Sequence, residues 1–167
     1  MTRKRNWSVV PMVLGLLLLI PFFVYFWRVT TVFGSNSDHE NFKLFSKSIT
    51  NNDVRNYLKG IDKKWGYPFY MIAKISAVVA LIVGLAIAVV QVLRLLGLEV
   101  AIITRILAVI EIVAGALTLV AGILFFIAST SKQGGIKVFA SGEVGYYFTV
   151  IGSMLCGITS LCLLEGR

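Results

Sequence analysis

The sequence is poor in the side chains that do chemistry. Its 167 residues include one histidine, two cysteines, three prolines and eight acids, and only 14% of the chain is charged. A haem held by two histidines needs a second imidazole, which the chain lacks. No zinc set can be assembled from one histidine and two cysteines. Cys156 and Cys162 stand six apart on one run. That puts them on different faces of a helix, which excludes C-x-x-C redox chemistry and an intrahelical bridge. There is no Walker loop, no G-x-S-x-G elbow and no pair of catalytic carboxylates. The expectation is a protein that is not an enzyme and uses neither cofactor nor metal.

Apolar residues are abundant instead. The chain is 57% hydrophobic, with a mean hydropathy of +0.86, and a soluble domain of that composition would expose too much apolar surface. Four runs stand out, at residues 9–27, 72–93, 106–128 and 146–164. Each holds about 19 to 23 residues, enough at the helical rise to cross a hydrocarbon core of roughly 30 Å. Backbone groups in lipid must bond within their own segment, so the runs are expected to be helices. The predicted fold is all-α: one integral membrane four-helix bundle over residues 1–167, with an outer loop at about 28–71. MTRKR before the first run also suits a signal peptide, with VFG-S at 32–35 as its cleavage site. The length of the run and its aromatic end, FFVYFW, favour a retained helix. Trp7 and Trp27 then read as interfacial anchors at its two ends, joined on the Trp27 side by Trp65, Tyr67, Tyr70, Tyr146 and Tyr147.

Arg3, Lys4 and Arg5 precede the first run and point to a cytoplasmic N-terminus, and four spans bring the C-terminus to the same side. The total count opposes this, because ten of the sixteen basic residues then lie outside. The expected location is the cell membrane, multi-pass, with both termini cytoplasmic. The net charge of +8 is scattered among acids with no aromatic-basic platform. It suits anionic headgroups rather than nucleic acid.

Within the outer loop, residues 29–40 read as polar and irregular. SITNNDVRNYLKGIDKKW reads as a short amphipathic helix capped by Asn51 or Asn52, with Asp53 in its first turn. Val54, Tyr57, Leu58 and Ile61 fall on one face, a candidate contact surface or a lid over the helix ends. Small residues mark where membrane helices approach closely. Ser76, Ala80, Gly84 and Ala88 recur every four residues, Gly115 and Gly122 are seven apart, and Gly152 and Gly157 follow on the last run. These are the expected helix-packing positions.

Glu111 is the exception to the apolar pattern. It lies in RILAVIEIVAGALTLVAGILFFIA, roughly 9 Å along the axis from Arg105. An acid near the midplane costs on the order of 3 kcal/mol, so something should offset it. If the chain turns at Gly97 and Leu98, Glu111 falls level with Gly84, and Gln91 level with Arg105. Gln91 and Arg105 are therefore candidate partners, and protonation of the carboxyl is the third way out. The set is either a polar lock or an ion site.

The small multidrug transporters also pair four helices with one membrane glutamate, but in their first helix, where this chain has none. The layout of a long first loop, a tight second link and a last helix near the C-terminus resembles the claudin and peripheral-myelin proteins. Against that group's W-GLW-C-C signature the loop sets only KKWGYPFY, residues 63–70, with no cysteine. The expected role is a structural or accessory component of a membrane assembly, self-associating or bound in a larger complex within the bilayer. The alternative is a small proton- or cation-coupled transporter or channel centred on Glu111.

Overall fold

The computed structural model describes residues 9–45, 50–98, 100–133 and 135–165, without the side chains of Phe22, Gln133, Leu164 and Glu165. Trp7, Arg3, Lys4, Arg5 and Arg167 lie outside the described residues. The order is α1 (Val9–Leu17), β1 (Trp27–Phe33), β2 (Asn36–Phe42), α2 (Asn51–Gly60), α3 (Gly66–Leu95), α4 (Ala101–Ser129), β3 (Ser131–Gln133), β4 (Ile136–Gly142) and α5 (Val144–Glu165). The all-α expectation is therefore wrong: the chain carries a four-stranded antiparallel sheet in the order β2-β1-β4-β3.

Three helices among the described residues, α3, α4 and α5, are long and apolar enough to cross a membrane. The first apolar run is not a fourth. α1 stops at Leu17, and a short 3-10 turn at Ile20–Phe22 leads into β1. Pro21 explains the stop: it has no N–H for the Leu17 carbonyl, and its ring clashes with that same carbonyl in a continuous helix. A hydropathy window sees only apolar length and passes over this break.

The chain divides into two compact units, and each long helix contributes to both. One unit comprises the residues up to Leu19, Ser76–Ala116 and those from Phe148 onward. Its packing follows the small residues. Leu18 fills a notch that Gly84 leaves on α3 and Gly152 leaves on α5, where any Cβ would collide with it. Gly115 lies against Ser153, and Gly157 against Ile112 and the Ala108 carbonyl. The outward faces are bare isoleucine, valine and leucine, among them Ile82, Val89, Ile106, Ile151 and Ile158.

The other unit comprises Ile20–Ile75 and Leu117–Tyr147. Here residues 29–40 are not irregular. WRVTTVF is rich in β-branched and aromatic residues, which suit a pleated strand. Gly34 supplies the positive φ of 58° in the two-residue turn that brings Phe33 opposite Asn36. A second hairpin closes near Gly135 (φ 82°) and pairs β3 with β4, and β4 in turn pairs with β1, Trp27 opposite Gly142. Arg28 pins this seam by donating to Asn41 (3.1 Å) and pairing with Glu143 (2.6 Å). Trp27 is only 6% exposed. Its ring meets Phe26, Tyr70, Phe125, Phe126 and Tyr146 at centroid distances of 4.7 to 6.1 Å, so it is a core residue and not an interfacial anchor. Tyr70 and Tyr146 are buried with it, whereas Trp65 and Tyr147 are exposed.

The amphipathic helix is present as α2, but its cap is Thr50 rather than Asn51 or Asn52. Thr50 and Asp53 form a reciprocal capping box, with the Thr50 N–H donating to the Asp53 carboxylate at 2.7 Å. The Thr50 backbone and hydroxyl donors hold Asp53 below the usual carboxylate range. A depressed folded-state pKa stabilises above the unfolded value and is lost as pH falls through the folded one. The protection of amides in the first turn of α2, taken relative to intrinsic exchange at each pH, should therefore fall as the solution is acidified from neutrality to about pH 3. Asp53→Asn should flatten that dependence, and an equally steep profile in the variant would show that the box does not hold the helix.

Candidate functional site

The site is built in the helical unit. Glu111 on α4 and Gln91 on α3 are both wholly buried, at 0% exposure. Neither has a hydrogen-bond partner among the described residues. A Cβ added to Gly84 would stand 3.6 Å from Glu111 Oε1, so the carboxyl faces the bare backbone of α3 at that glycine.

Gln91 lies seven residues beyond Gly84, two helical turns or about 10 Å along the α3 axis. With Glu111 Oε1 held beside Gly84, the Gln91 amide is too far along the helix to reach it within hydrogen-bond distance. The third candidate, Arg105, is exposed in the first turns of α4. The structure thus levels Glu111 with Gly84, as the count from Gly97 has it, but does not join Glu111, Gln91 and Arg105 into one network.

Buried hydroxyls of the same unit are turned to their own helices. Ser153 donates to its own helix at Thr149 and Val150, Thr104 to Val100, and Ser160 to Cys156. Serine and threonine inside helices commonly turn back to the preceding carbonyls in this way. Arg94, one turn past Gln91, donates to the Leu163 carbonyl at 3.2 Å, where a cation suits the C-terminal end of α5. What remains is a carboxyl in an apolar interior beside a glycine. Such a group can take up and give up a proton or hold a cation. With no exposed surface, it offers nothing to a second chain.

The other sequence candidates are placed as follows. Ser76, Ala80, Ala88 and Gly84 are buried along α3, and Gly115 and Gly157 are buried in the same unit, with Gly152 half-buried. In the sheet-bearing unit, Gly122 lies against Tyr146, whose hydroxyl donates to the Leu119 carbonyl at 3.0 Å. Leu58 is fully buried, and Val54, Tyr57 and Ile61 are half-buried. Tyr57 donates to the Ser129 carbonyl at 2.8 Å, so this face of α2 is used within the chain.

Sequence reasoning misses Leu18 and the Arg28–Glu143 pair. Only the latter leaves a local signal, since a charged pair flanking two strand-like stretches marks a seam between them. No protein-family model matches the chain, and no curated protein matches it in sequence.

Proposed function

We propose that the chain is a non-catalytic, multi-pass protein of the cell membrane that serves as a structural or accessory component of a membrane assembly. The bare aliphatic faces of the helical unit would meet lipid or other membrane helices. The observation that carries the reading is β2. It is an edge strand whose residues from Asn36 to Asn41 are all exposed, with Asp38, His39 and Glu40 at its centre. An open edge with charged side chains resists pairing edge to edge with another sheet. It remains free to meet a complementary basic surface through those side chains.

The test is co-purification in mild detergent, wild type beside the charge-reversed Asp38→Lys/Glu40→Lys. A stoichiometric protein or a second copy, lost in the variant, is the expected result. A chain that purifies alone and monodisperse in both forms would sink the reading. One observation favours a second reading, a small proton- or cation-coupled transporter: the buried, unpartnered Glu111. In proteoliposomes that reading requires a gradient-driven flux that Glu111→Gln abolishes without changing assembly.

A further inference from the structure

α2 has two faces. Leu58 and Tyr57 are turned into the chain. Asn52, Arg55, Asn56 and Lys59, at i, i+3, i+4 and i+7, form the other face and line a groove of about 520 Å³ with Lys64 and Tyr67. No acid lines it. Arg55 stands 5.9 Å from the Tyr67 ring centroid, so the aromatic face holds the guanidinium in place without neutralising it. The acid on the same helix, Asp53, is spent on the Thr50 cap. The neighbouring cation Lys63 is spent too, donating to the Thr130 carbonyl at 2.8 Å. Arg55, Lys59 and Lys64 form no ion pair among the described residues.

The position of the groove decides what anion it would take. Lys64 is followed by Trp65, which is 47% exposed and packs edge-on against Phe69 at 6.1 Å. Directly after them begins the apolar span of α3, with Ile72 and Ile75 bare on its surface. An exposed tryptophan at the head of a span sits at headgroup level. The three cations are therefore at the depth of lipid phosphates. We propose that this groove binds the headgroup of an anionic phospholipid, with Arg55, Lys59 and Lys64 around its phosphate. The proposal rests on the membrane reading above.

The experiment reconstitutes the full chain in vesicles of equimolar phosphatidylglycerol and phosphatidylcholine, extracts it gently, and counts retained lipids by native mass spectrometry. Near an anionic surface each basic residue contributes about fivefold, so three should enrich phosphatidylglycerol by at least about tenfold after screening. Arg55→Gln/Lys59→Gln/Lys64→Gln should bring the ratio to parity. Lys43→Gln/Lys132→Gln/Lys137→Gln removes the same charge elsewhere in that unit and should keep the enrichment. The single Lys64→Gln, exposed and minimal, should lower it partway and covers the case in which the triple variant folds poorly.

Equal enrichment in the groove variants and wild type, or an equal loss in the control, overturns the proposal. So does displacement by excess inorganic phosphate with no preference among lipids, which would make the ligand a soluble anion. Failure to incorporate into these vesicles at all overturns the membrane reading and this site with it. Incorporation without preference overturns the site alone.

Discussion

Replacing Trp27 with alanine should cost about 3–5 kcal/mol of stability, the range for deleting a large aromatic from a core. The indole stands at the end of the inner strand β1, with five rings around it. Removing it takes away the common neighbour of Phe26, just before β1, and of residues drawn from α3, α4 and α5. Each aromatic pair adds about 0.5–1.5 kcal/mol beyond area burial, so the loss should sit in the upper part of the range. The measurement is denaturant or thermal unfolding in detergent, beside Trp65→Ala. Trp65 is exposed and should cost less than about 0.5 kcal/mol. A loss at Trp27 no larger than at Trp65 would return Trp27 to the interfacial role its sequence position suggests. In the wild type, quenchers dissolved in lipid should reach Trp65 fluorescence and leave Trp27 untouched.

The contrast between these two tryptophans shows which parts of the fold are legible in the sequence. A membrane helix is written locally, because some twenty apolar residues in a row have few other fates. The runs at 72–93, 106–128 and 146–164 accordingly reappear as the interiors of α3, α4 and α5. The sheet is written non-locally. β1 finds β4 more than a hundred residues away, and neither strand alternates cleanly between apolar and polar residues. Trp27 follows directly on FFVYF, so composition assigns it to a helix that Pro21 has already ended. VTTV before Gly34, and the Gly-Gly between SKQ and IKVF, are the signals that turn chemistry offers. Of the candidate site, the level of Glu111 beside Gly84 follows from counting residues about Gly97. That Glu111 lacks a partner does not follow, because whether a buried hydroxyl serves a neighbouring helix or its own backbone depends on rotamers.

Glu111→Leu should stabilise the chain by on the order of 1–3 kcal/mol. A polar group buried without a partner carries its desolvation cost uncompensated, and an apolar side chain of similar volume removes that cost. Leucine keeps the helical propensity of α4, and the facing Gly84 has no side chain to oppose it. Were Glu111 a lock, its removal would instead strand its partner and cost about 3–5 kcal/mol. The two readings therefore predict opposite signs in one unfolding experiment. Gln91→Leu supplies the second corner of a double-mutant cycle. With Gln91 two turns along α3 from the glycine that Glu111 of α4 faces, the effects should add to within about 0.5 kcal/mol, and a larger coupling would mean that they meet. A stabilised Glu111→Leu protein that keeps its assembly but loses proton- or cation-driven flux would place the carboxyl among residues whose cost is retained for function, as polar groups inside membranes commonly are. Unchanged assembly with no flux in either form would leave that cost without a use, and the transport reading would fall.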